Sequence, residues 1–134
     1  MKKNYKEIKI YVNNGYGLNI SENTFNDELI ITKESVECKR YFIVLDEYIM
    51  WKHSFLDGVF ETSFIRIAEM IENLKEPSIA GCDTALTTIT LKYEDESVLE
   101  EEYTGSLSDN DMPEISIELL KLIPSGCFYP DFIE

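Results

Sequence analysis

The sequence is poor in the side chains that build most catalytic and metal centres. It has one histidine, His53, and three cysteines, Cys38, Cys82 and Cys127, spaced 44 and 45 residues apart. An odd number of thiols with no close pair excludes the disulfide framework of a small secreted domain. Structural zinc draws two of its ligands from a short C-x₂₋₄-C element, which is missing. Reduced thiols in a cytoplasm fit the pattern. A Cys–His dyad would need His53 beside one of the thiols, and no spacing brings them together. His53 instead shares a strand face with Ile49, Trp51 and Phe55 by alternation, so it reads as a structural residue.

Signature motifs are lacking as well. There is no G-x-S-x-G, no Walker loop, no H-E-x-x-H and no dinucleotide fingerprint. Asp109-Asn110-Asp111 is too compact for a calcium loop. The glycines of Asn13-Asn14-Gly15-Tyr16-Gly17 lack the spacing of a phosphate loop and read as a turn. Many carboxylates are present, but a general acid and base need environments that separate their pKa values, and sequence does not define such environments. The expectation is no catalytic residue, no metal and no cofactor, with a small enzyme or ligand-binding domain as the less favoured alternative.

Long apolar runs are absent. The most apolar stretch, Tyr41 to Trp51, is broken by Asp46 and Glu47 and falls far short of the roughly 20 residues that cross a bilayer. The basic start, Met1 to Lys6, is not followed by the apolar stretch of a signal peptide. We expect neither a membrane segment nor secretion. The richness in Lys, Asn, Ile and Glu suits an AT-rich bacterial or phage genome.

Positive charge is scarce in one part of the chain only. Residues 1–52 hold eight Lys/Arg and eight Asp/Glu, whereas residues 53–134 hold four against eighteen, so the second stretch carries the whole net charge of −14. Between Lys92 and Glu118, ten carboxylates face a single lysine. Such a field repels nucleic acid and anionic membranes and attracts basic partners. Charge of this kind also keeps strand edges soluble and unpaired.

What is present is the material of one globular domain, residues 1–134: 44% hydrophobic and 12% aromatic residues, in a length that buries roughly two thirds of the unfolded surface. Alternation of Ile8, Ile10 and Val12 predicts a strand over residues 6–12. Glu28–Lys33 and Val36–Val44 predict a hairpin turned at Glu34-Ser35, and Tyr48–Phe55 continues the meander. From Val59 to Leu74 the period becomes helical, with Phe60, Phe64, Ile67, Ala68, Ile71 and Leu74 on one stripe, Asp57 as N-cap and Pro77 at the exit. Ala85–Tyr93 and Val98–Thr104 form a second hairpin. A last helix runs from Pro113 to Ile123, its start complemented by Asp109, Asp111 and Glu114. Strands and helices in blocks predict an α+β fold: a mostly antiparallel sheet, meander plus second hairpin, with two helices packed on one face.

Two packing expectations follow. Trp51 is expected between the sheet and the 59–74 helix. Ile117 and Leu120 fall outside the apolar stripe of the last helix (Met112, Ile115, Leu119, Leu122 and Ile123), so the tail residues Phe128, Tyr129 and Phe132 are expected to fold back over them, or the two together to meet a partner.

The function expected on this basis is that of a non-enzymatic, small acidic protein-binding module. It would be an inhibitor or immunity-type protein that masks a basic surface of a nucleic-acid-acting toxin or defence enzyme. Its partner-binding residues would be Glu94, Asp95, Glu96, Glu100, Glu102, Asp109, Asp111, Ile117 and Leu120. Glu101 shares a strand side with Leu99 and Tyr103 and is the least secure acidic surface position. The alternative is a self-associating accessory or structural domain, a homo-oligomer held by apolar contacts. Direct nucleic-acid binding is not expected.

Overall fold

A computed structural model describes residues 4–14, 20–56, 58–73, 86–104 and 113–128. In chain order the elements are β1 (Tyr5–Asn13), β2 (Phe25–Ile31), β3 (Ser35–Phe42), β4 (Glu47–Ser54), α1 (Glu61–Glu72), β5 (Leu86–Tyr93), β6 (Val98–Thr104) and α2 (Pro113–Leu120). The strands form one six-stranded sheet in the order β4-β3-β2-β1-β5-β6, and every neighbouring pair is antiparallel. The expected meander is β1 to β4. The second hairpin, β5–β6, joins it along the free side of β1, so the first strand of the chain lies inside the sheet. The fold is broadly α+β.

Alternation sets the faces. Ile8, Ile10 and Val12 of β1 are buried, and register places Ile8 between Ile31 and Leu91 and Ile10 between Leu29 and Ile89. Val36 and Cys38 of β3 extend the same rows beside Ile31 and Leu29. The intervening residues of these strands are half-buried or exposed. Because opposed residues in an antiparallel pair share a face, each buried row is a cross-strand ladder of branched aliphatics that fits the pleat.

β4 and β5 run in the same direction with three strands between them, which no tight turn can connect. The chain makes this return through α1. Its buried residues Phe64, Ile67, Ala68 and Ile71 recur at helical spacing and join Ile115, Leu119, Leu122 and Ile123 and the buried strand residues in one hydrophobic cluster. Each large side chain of this set contributes roughly 1.5–3 kcal/mol on burial. Phe60 occupies the N-cap position of α1 without a side-chain cap, and its ring sits 4.5 Å from Phe55. The proposed cap Asp57 lies outside the described residues.

The β2–β3 turn has no Asn-Gly pair. Thr32 closes it instead: its Oγ1 accepts the backbone N–H groups of Glu34 at 3.2 Å and Ser35 at 3.1 Å. α2 is shorter than its sequence pattern. After Leu120 the chain continues in tighter turns, with Leu122 N–H donating to Leu119 O at 2.9 Å. Gly126 then adopts φ 89°, a conformation that favours glycine.

Trp51, expected against α1, is half-buried and meets the segment that follows α2. Its indole N–H donates to the carbonyl of Phe128 at 3.0 Å, and the two rings meet edge to face with centroids 6.3 Å apart. Register explains the difference: Trp51 pairs with Cys38, and the segment after α2 lies over that part of the sheet. Phe128 is therefore committed to Trp51 and Arg40. Ile117 and Leu120 stay exposed; Tyr129 and Phe132 lie outside the described residues. No described helix is long and apolar enough to cross a membrane.

Candidate functional site

Five of the acidic residues named from the sequence, Glu94, Asp95, Glu96, Glu100 and Glu102, fall on the β5–β6 hairpin, and its geometry separates them into two groups. Asp95 holds the turn, its Oδ1 accepting the backbone N–H of Ser97 at 2.9 Å and the Ser97 hydroxyl. Glu96, at φ 70°, bridges two lysines, Lys6 Nζ at 2.6 Å and Lys92 Nζ at 3.0 Å. Hydrogen bonds from both hold its carboxyl below the ordinary range. The bridge depends on an irregularity in β1: Tyr5 pairs with Tyr93 but Glu7 pairs with Lys92, so Lys6 is an extra residue in the ladder. Bulges re-aim side chains in this way. The backbone N–H of Glu94 then ties the turn to Asn4 O at 2.8 Å.

The second group faces outward. Glu94, Glu100 and Glu102 are exposed, and among the described residues no lysine or arginine forms an ion pair with them. Glu100 and Glu102 stand opposite Thr90 and Thr88. Glu101 points the other way, opposite the buried Ile89, and is half-buried. Asp109 and Asp111 lie outside the described residues. Ile117 and Leu120 are exposed on α2, a helix whose neighbour is α1.

Three ionic arrangements were not singled out from the sequence. Asp27 is fully buried and receives a two-pronged contact from Arg40, Nε to Oδ1 at 2.9 Å and Nη2 to Oδ2 at 3.0 Å. The guanidinium lies 3.9 Å over the Phe25 ring and 4.9 Å from that of Phe128. At the C-terminal end of α1, Glu72 accepts the hydroxyls of Tyr5 and Tyr93. Burial, then the bond to Glu72, pushes Tyr93 up to about 12. Between the helices, the buried Glu118 receives Arg66 from α1 at 3.1 Å and Lys121 at 3.0 Å. The hydrogen bond from Lys121 leads in lowering its carboxyl, against the opposing effect of burial. A signal for the first pair was present: Asp27 shares a parity with Leu29 and Ile31, and Arg40 with Val36 and Cys38. Charges placed on an apolar stripe imply a buried pair.

Cys38 has no solvent exposure, and burial pushes its thiol up to about 12. It stays protonated at neutral pH and is a poor nucleophile. His53 is exposed on β4, its ring 5.3 Å from Phe55. Among the described residues no three of His, Cys, Asp and Glu gather as metal ligands. Cys82 lies outside them. The chain matches no protein family, no curated protein and no solved structure.

Proposed function

We propose that the protein is a non-enzymatic binding module that applies the acidic outer edge of the β5–β6 hairpin to a basic surface of another protein, as an inhibitor or immunity-type protein does against a nucleic-acid-acting toxin or defence enzyme. The observation that carries this reading is the separation of carboxylates just described. Lys6 and Lys92 are drawn to Glu96, which leaves Glu100 and Glu102 on the edge strand and Glu94 in the turn before it without an ion pair among the described residues. Unpaired charge aimed outward steers encounter with an oppositely charged partner. The reading takes both helices as cover for one face of the sheet, leaving the other face and the β6 edge to solvent. It places the protein in the cytoplasm, where its thiols stay reduced.

The test is affinity capture from the native host with the wild-type chain and with a Glu94→Lys/Glu100→Lys/Glu102→Lys variant. A basic protein retained by the wild type at low salt, lost at higher salt and lost by the variant is the expected result. Equal capture by both chains would refute the acidic edge as the binding surface.

A further inference from the structure

The other edge of the sheet, β4, has no neighbouring strand beyond it among the described residues and differs in character. The backbone hydrogen bond from Phe55 N–H to Glu34 O, 2.7 Å long, marks Phe55–Glu34 as a hydrogen-bonded pair in the register that continues as Ser54–Ser35 and His53–Val36. Antiparallel pairs alternate, so His53, Trp51, Ile49 and Glu47 direct their backbone groups to β3, and Ser54, Lys52, Met50 and Tyr48 direct theirs away from the sheet. The strand carries large apolar side chains on both faces: Tyr48, Ile49 and Met50 are 56%, 47% and 45% exposed. Val44 and Leu45 before it and Leu56 after it are exposed too. A long edge with outward amides and apolar side chains is what native proteins ordinarily blunt.

We propose that β4 pairs with β4 of a second copy of this chain, antiparallel about a two-fold axis through Met50, joining two sheets into one of twelve strands. This interface is independent of the acidic edge. An antiparallel two-fold pair keeps each face of the sheet continuous only if residues of equal parity oppose each other. Centring on Met50 meets that condition and makes hydrogen-bonded pairs of Met50 with Met50 and of Tyr48 with Lys52, so three of the four outward-facing residues meet their own kind, while Ser54 falls opposite Asp46 in the turn before the strand. It also sets Glu47 opposite His53 and brings Val44 and Leu45 toward the exposed Leu56 of the other copy. Charge selects the edge. β4 carries one acidic and one basic residue, Glu47 and Lys52, whereas pairing through β6 would set glutamates against glutamates. Dimerising at β4 keeps the two acidic edges at opposite ends of the joined sheet.

One eight-residue strand pair buries less than the roughly 1,200 Å² of a standard interface, so the dimer is a concentration-dependent one. Analytical ultracentrifugation of the full chain should show a reversible monomer–dimer equilibrium. Met50→Lys and Met50→Glu each set like charges face to face on the axis and should each raise the dissociation constant roughly tenfold. An equimolar mixture of the two should restore dimers as the heterodimer. Circular dichroism of each variant verifies that the monomer is folded, and Lys52→Pro, which removes an outward N–H that an edge strand does not use, abolishes the dimer if either charge variant unfolds. A wild-type chain that stays monomeric to about 1 mM, a scale that corresponds to negligible affinity, overturns the proposal. So do dimers that survive Lys52→Pro, or a mixture of charge variants that does not associate.

Discussion

Asp27 and Arg40 illustrate how a single pair of side chains decides the local design. The carboxylate has no solvent exposure, so removing its partner takes away the two hydrogen bonds that Arg40 donates to it. Arg40→Met is expected to cost about 3–5 kcal/mol, read from the denaturation midpoint, because breaking a buried pair is far costlier than never having had it. The double variant Asp27→Leu/Arg40→Met should recover most of that loss, since the site then becomes an apolar row continuous with Leu29 and Cys38. Glu72 gives a second residue-scale expectation. Tyr93 titrates at about 12 in the folded chain against an ordinary 10.0, and Tyr5 is raised in the same direction. The folded state holds protons that the unfolded state has released, so this stabilisation is complete below about pH 10 and is lost as pH rises toward 12. Tyr93→Phe should flatten the fall of stability between pH 9.5 and 11.5 in urea titrations, roughly the window the shift defines. An unchanged slope would remove Tyr93 from the account.

At the scale of elements, β6 tests whether a strand can carry three successive glutamates without structural consequence. Glu100→Lys and Glu102→Lys point to solvent beside threonines and should each change stability by less than about 0.5 kcal/mol. Glu101→Lys should cost more than either, because register sets it against Ile89 on the apolar side; equal effects at all three positions would contradict that register. Alternation made this difference legible beforehand, and it also placed Ile8, Ile10 and Val12 correctly on one face. The 3.6-residue period likewise found α1 to within two residues at each end, since four buried apolar side chains at helical spacing outweigh an imperfect cap. What stayed hidden were pairings across long separations. Local pattern puts Trp51 on a face, but only register with Cys38 and the path of the chain after α2 determine what covers it. The ion bridge of Lys6 to Glu96 was equally out of reach, because it arises from an extra residue in β1 that no periodicity announces. The acidic candidates were legible as a group; their division into turn-holding, lysine-bound and outward-facing members required the fold.

On the scale of the whole molecule, the chain has to bring its last described residues back to a strand formed 77 positions earlier, the separation of Trp51 from Phe128. That contact joins the segment after α2 to the sheet in three ways: the indole N–H donates to the Phe128 carbonyl, the rings meet edge to face, and Arg40 lies against the same phenyl ring while holding Asp27. Closing a segment over half-buried aromatic surface in this way links the outer strands β3 and β4 to the helical layer through residues that follow α2. Phe128→Ala removes the ring but leaves the backbone carbonyl in place, so it isolates the packing contribution. It should cost about 2–3 kcal/mol, less than the roughly 3–5 kcal/mol for truncating a fully buried aromatic, because the site is only half-buried. The molecule contains a single tryptophan, which makes the readout specific: emission should shift to longer wavelength in the folded variant as the indole gains water. Phe128→Leu, which keeps apolar volume, should restore most of the stability and less of the spectrum. An unchanged emission maximum in Phe128→Ala would mean that the segment after α2 does not cover Trp51 in solution, and the outer half of the sheet would then be closed by something other than the end of the described chain.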